Sequence, residues 1–346
     1  RKLVVIESDD WGSLRAPLPG GLKKMQDLGL PLGSKAGVVY NKYDDLAEKD
    51  DLENLFEVLD SVKDLNHNSA VMTAVSLCAN PDFDRIEADD FQHYYYKTLP
   101  EYLEIKNRKG VWDLWQEGQQ KRLFVPEFHG REHLNIAAWM RALQNNDSLT
   151  REGFKHHFWG FRQQNNSFFR YQGAFDLMFK DDLNMQHKIL EDGLKLFEEL
   201  HGRKANFFVP PNGHLNNALE KTAAKNGIKY ISTPKIQHEV FGDAKTKKRF
   251  RCIGKQNKYK QIYLTRNAFF EPSSPLKSDW VDACLKDIEN AFKYKKPATI
   301  STHRVNYIGV HDVNNRSKGL KALQQLLKQI IKKWPEVEFM TSTELG

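Results

Sequence analysis

Short continuous apolar runs alternate along the chain with longer stretches whose apolar residues recur at helical spacing. Leu3–Ile6 is such a run and reads as a strand buried on both faces. Asp51–Val62 follows as a helix, with Leu52, Leu55, Phe56 and Leu59 on one stripe. Further strands are expected at Val71–Leu77, Leu123–Phe128, Ala205–Val209, Lys229–Ser232, Gln261–Thr265, Ala298–Thr302 and Val337–Met340. Helices are expected at Ile136–Leu143, Met185–Leu200, Leu215–Ala224, Val281–Phe292 and Gly319–Trp334. The last carries Leu320, Leu323, Leu326, Leu327, Ile330 and Ile331 at helical spacing.

Strands alternating with helices predict an α/β fold, a parallel (β/α) barrel of seven or eight strands. Asp9-Asp10, Asn80, His129, Asn212, Asn267 and His303 all fall at or just past the ends of expected strands. In such a barrel that rim is where active sites are built, so residues remote in sequence would converge there. Residues 82–122 and 144–182 do not fit the alternation. They read as inserted loops and helices over the C-terminal rim of a single barrel spanning 1–346. Their aromatic residues Trp112, Trp115, Trp159, Phe168, Phe169 and Tyr171 could stack on sugar rings, although anchoring the insertions is the commoner use of such side chains.

The chain has 346 residues, 40% hydrophobic and 28% charged, within the range of globular proteins. No apolar run reaches membrane-spanning length. Three scattered cysteines make neither a disulfide framework nor a cysteine metal site. The net charge of +7 suits an acidic polymer or surface. The basic residues are mixed among acids, however, and no nucleic-acid partner is expected. The one dense basic run, Lys245–Arg251, reads as a solvated loop. The chain opens on a strand without a targeting segment, so an envelope or secreted location and a cytoplasmic one both stay open.

Adjacent Asp9 and Asp10 at the end of a buried strand are costly unless compensated, and a cation would compensate them, with one aspartate a ligand and the other a base. His129 and His133 lie four apart, a spacing that lets two imidazoles bind one metal from a single turn. With Asp10 they make an Asp-His-His triad suited to zinc, with cobalt, nickel or manganese as alternatives. The same stretch, His129-Gly130-Arg131-Glu132-His133, also matches the HxxEH metalloprotease pattern, with Glu132 as the base. A barrel glycosidase with two carboxylates flanking the bond is a further alternative. Asn80, Arg266, Asn267, Arg304, Asn306 and Tyr307 are candidates for substrate contacts at the rim.

Taken in order, these motifs resemble the polysaccharide deacetylases, carbohydrate esterase family 4, the NodB-homology fold. Ser8-Asp9-Asp10-Trp11-Gly12 is similar to its first motif and His129/His133 to its second. Val209-Pro210-Pro211-Asn212-Gly213 stands in the place of its RPPYG motif, Asp279-Trp280 in that of its Asp-Trp pair, and His303 in that of its late histidine. The resemblance implies a distorted barrel of seven strands. It implies Asp9 as catalytic base, Asp10, His129 and His133 as metal ligands, His303 as general acid and Asp279 as an orienting residue, with Asn212 among the substrate contacts. Val209 replaces the arginine that pairs with the family's catalytic base, and Arg304 or Arg15 is a candidate to take its place. The implied activity is metal-dependent removal of an acetyl group, N-acetyl first, from a carbohydrate. A glycan-binding barrel that has lost catalysis is the alternative drawn from the missing arginine.

Overall fold

A computed structural model describes residues 1–15, 18–30, 35–161 and 169–345. Nine strands form one sheet: β1 (Lys2–Trp11), β2 (Met72–Leu77), β3 (Phe124–Gly130), β4 (Phe207–Phe208), β5 (Tyr230–Ser232), β6 (Ile262–Leu264), β7 (Ala268–Phe269), β8 (Ala298–His303) and β9 (Val337–Met340). Their spatial order is β6-β5-β4-β3-β2-β1-β8-β7, and every pairing is parallel. β9 pairs with the first residues of β1, beside β2, which pairs with its later ones. The parallel strands curl through 241°, making a distorted barrel with helices outside it. β6 and β7 are the two ends of this order yet are neighbours in sequence, so residues 265–267 bridge the open seam.

The helices follow the expected stripes. Lys49–Asp60 buries Leu52, Leu55, Phe56 and Leu59, and Val313–Lys333 buries Leu320, Leu323, Leu326, Leu327 and Ile330. Each such side chain contributes about 1.5–3 kcal/mol when fully buried. Trp280–Lys293 and Asp182–His201 supply two more layers against the sheet.

Two expectations about the fold need correction. Within residues 82–122, helix Val111–Gln120 packs on β3 and on helix Lys49–Asp60, so it is the crossover between β2 and β3 and belongs to the barrel's outer layer. The basic run at Lys245–Arg251 is not a loop. Thr246–Phe250 pairs antiparallel with Ile236–Val240 in a hairpin, and Arg249 donates to Glu239. β7 was hidden in the sequence because it has only two residues. Among the described residues no helix is long and apolar enough to cross a membrane.

Candidate metal and catalytic centre

β1 carries the centre. Along a regular strand, side chains alternate between faces, so Asp9 and Asp10 could not both reach the barrel mouth. The register between β1 and β2 shifts between Ser8 and Trp11, which inserts one extra residue, and Asp10 adopts a left-handed backbone with φ 72°. This bulge re-aims Asp10 so that both carboxylates line the same cleft. The turn beyond it requires glycine. Gly12 has φ 84°, and a Cβ there would lie 2.5 Å from the Leu77 carbonyl oxygen.

Asp10, His129 and His133 are all buried, and their ligand atoms lie within 4.8 Å of one another. Asp10 Oδ1 is 3.5 Å from His129 Nε2 and 3.3 Å from His133 Nε2. His129 is the penultimate residue of β3, and His133 sits in the loop before helix Ile136–Gln144. The pair is therefore presented by a strand end and a loop, not by one helical turn. His129 Nδ1 lies 2.7 Å from the Val209 carbonyl oxygen, the contact that fixes a ligand's tautomer. With its proton there, Nε2 turns a lone pair toward the Asp10 carboxylate. Burial lowers the pKa of His133, which favours its neutral imidazole. Acceptors facing acceptors at this distance want a cation between them, and one carboxylate with two imidazoles fits a zinc-type ion. Arg15 Nη1 donates to the other Asp10 oxygen at 2.9 Å. Burial would raise the Asp10 pKa, but Arg15 and the two histidines hold it well below the usual range.

Asp9 is clamped from the far end of the chain. Arg266, in the seam, donates Nη1 and Nη2 to the two Asp9 oxygens at 2.6 and 2.5 Å, and Nε to Glu7 at 2.6 Å. Burial raises the Asp9 pKa; the Arg266 charge and hydrogen bonds outweigh it and keep the carboxylate ionised. The arginine that contacts Asp9 is Arg266, not Arg304 or Arg15. Val209 contributes its carbonyl to His129 instead.

His303 is the register partner of Asp9 on the adjacent strand, and its Nε2 lies 3.9 Å from Asp9 Oδ2. Its Nδ1 donates to Glu271 Oε1 at 2.6 Å. Burial disfavours the imidazolium, but Glu271, Asp10 and Asp9 outweigh it and raise the pKa to about 9. Glu271 therefore orients His303, not Asp279, which caps helix Trp280–Lys293 by accepting from the Asp282 N–H. The only sequence signal for Glu271 was an acid two residues past an unrecognised two-residue strand.

Other rim expectations divide. Asn212 and Asn267 line the cleft, although Asn267 spends its amide on the Pro297 carbonyl and the Thr299 N–H. Asn80, Arg304, Asn306 and Tyr307 do not line it. Asn80 bonds Leu14 N–H and the Gly12 carbonyl, bracing the turn after β1. Arg304 is fully buried against Asp44, and the Tyr307 hydroxyl meets Thr302. Asn306 donates to Glu271, steadying the carboxylate behind His303. Trp115, Trp159, Phe169 and Tyr171 are buried in the core and Trp112 is packed against it, while Phe168 lies outside the described residues. Glu132 is buried and accepts from Arg131 and Tyr94, and His129–His133 is not helical, so the HxxEH arrangement is absent.

The cleft holds about 650 Å³ and is lined by Asp9, Asp10, His129, His133 and His303, and by Arg170 and Gln172 from the second expected insertion. No family model and no curated protein sequence matches the chain. Among solved structures it is similar to a protein of Mycobacterium smegmatis assigned as a polysaccharide deacetylase. That match has 10% identity and a TM-score of 0.47, and covers 99% of this chain and 88% of the other. It is similar also to a 4-alpha-glucanotransferase from Thermococcus litoralis, with 11% identity, a TM-score of 0.47 and coverage of 99% and 39%. A CE4 family pseudoenzyme from Bacillus anthracis matches with 10% identity, a TM-score of 0.40 and coverage of 100% and 65%.

Proposed function

We propose that the protein is a metal-dependent deacetylase that removes an acetyl group, N-acetyl first, from a carbohydrate. The observation that carries this reading is the convergence of three features on one cleft: the buried Asp10-His129-His133 cluster, an ionised Asp9 beside it, and His303 on the neighbouring strand. The order of motifs along the chain, similar to that of the polysaccharide deacetylases, supports the same conclusion.

Asp10, His129 and His133 would hold the ion, which when bound polarises an acyl carbonyl and acidifies water. Asp9 accepts a proton from the attacking water, and Arg266 keeps it charged and aimed. As water adds to the acyl carbon, the scissile C–N (or C–O) bond breaks and acetate is released. His303 is protonated at neutral pH and gives its Nε2 proton to the leaving nitrogen or oxygen, while Glu271 holds the opposite side of the ring. The products are acetate and a free amino or hydroxyl group on the sugar.

The test is elemental analysis of wild type, Asp10→Ala and His133→Ala, with acetate release from chitooligosaccharides measured on the same samples. About one zinc-like ion per chain is expected, lost together with acetate release in both variants. Metal retained by Asp10→Ala, or metal without acetate release from any acetylated glycan, would overturn the reading.

A further inference from the structure

Resting on the deacetylase reading, we propose that the substrate is an acidic glycan, whose carboxylate or other anionic substituent is recognised by cations at the cleft mouth. Among the described lining residues the only carboxylates are Asp9 and Asp10, and each already faces an arginine, Arg266 and Arg15. A further cation, Lys235, is exposed and lines the same cleft. No acid among the described residues ion-pairs with Lys235. Lys235 follows β5 and Arg15 follows β1, four strands apart in the sheet, so positive charge flanks the cleft from two sides.

A bound cation would add to this charge. Low-dielectric walls focus such a field and raise the local concentration of anions. Arg15 adds a second observation. One guanidinium nitrogen serves Asp10, its plane lies over Tyr40 at 4.9 Å, and its Nε is a buried donor without an acceptor. Arg15 itself lines the cleft, so an anion bound there meets its guanidinium charge. Among the described residues, the aromatic side chains of the two expected insertions that were suited to stacking on neutral sugars lie in or against the core. Among the described residues, Tyr40 and Phe269 are the only Phe, Tyr or Trp side chains that line the cleft.

The test compares kcat/KM for acetate release from an O-acetylated polyuronate and from O-acetylated xylan, whose backbone is neutral. The expected preference for the polyuronate is about tenfold or more at low salt, shrinking once the screening length falls to about 8 Å. Lys235→Glu is expected to lower the acidic-to-neutral ratio about tenfold. Equal kcat/KM on the two polymers, or an unchanged ratio in Lys235→Glu, would overturn the proposal while leaving the deacetylase reading intact. A second arm measures binding of unacetylated oligogalacturonate and xylo-oligosaccharide to the wild-type protein by calorimetry. If oligogalacturonate alone binds although no acetylated glycan, the chitooligosaccharides included, releases acetate, the acidic-glycan inference stands and the deacetylase reading falls. If oligogalacturonate binds no better than the neutral oligosaccharide, the inference falls.

Discussion

Replacing Arg266 by methionine tests the central electrostatic argument. The wild-type guanidinium donates to both Asp9 oxygens, to Glu7 and, at 3.1 Å, to Ser301. Glu7 is fully buried and Asp9 is 6% exposed. Methionine fills much of the same volume, so the cavity cost is small and the loss is electrostatic. Glu7 keeps the Ser232 and Ser342 hydroxyls, and Asp9 keeps His303 at 3.9 Å, neither of which matches a charged fork. Removing one partner of a buried ion pair costs about 3–5 kcal/mol, which lowers the ratio of folded to unfolded protein by about two to four orders of magnitude.

The pH dependence has a definite sign. Asp9 has a depressed pKa in the folded protein, so its stabilising contribution is present above the ordinary carboxylate pKa and is lost as pH falls through the folded value. Without Arg266, burial raises that pKa. The stability gap between wild type and Arg266→Met is therefore widest near neutrality and narrows as both proteins take up the proton. The acid limb of the activity profile moves to higher pH for the same reason. Urea titrations at neutral and acidic pH, with a pH–rate profile for acetate release, measure both effects. Arg266→Lys keeps one charge but cannot span Asp9 and Glu7, and should lose about half as much stability. A loss below about 1 kcal/mol in Arg266→Met, with an unmoved acid limb, would refute the account.

Three further outcomes follow from the geometry. His303 has its pKa raised to about 9, so its stabilising contribution is complete below its ordinary pKa and is lost as pH rises through about 9. Glu271→Gln should draw both that loss and the alkaline limb of activity to lower pH, read by melting temperature and rate across the alkaline range. Arg304 and Asp44 form a fully buried pair, so Arg304→Met and Asp44→Leu should each cost about 3–5 kcal/mol. The double variant should cost less than their sum, as a denaturation cycle would show. Gly12→Ala should cost about 2 kcal/mol or more, seen as a lowered urea midpoint, because the added Cβ meets the Leu77 carbonyl oxygen in a left-handed turn.

The sequence by itself determined the alternation of strands and helices, because buried parallel strands and amphipathic crossover helices each write their own period into the chain. It also placed Asp9, Asp10, His129, His133 and His303 at strand ends, and a parallel barrel gathers strand ends on one rim. What only the tertiary structure decided was the pairing of charges across sequence distance. Arg266 reaches Asp9 from the connection between β6 and β7, past the intervening strand β8, a placement that no local pattern encodes. Glu271 was hidden for the same reason, since the two-residue strand before it carries no periodicity. Arg304, Asn80 and Tyr307 looked like rim groups, yet each turns inward to satisfy buried partners. Strand position fixes where a residue stands, while the direction of its side chain depends on bulges, turns and neighbours that exist only once the barrel has formed.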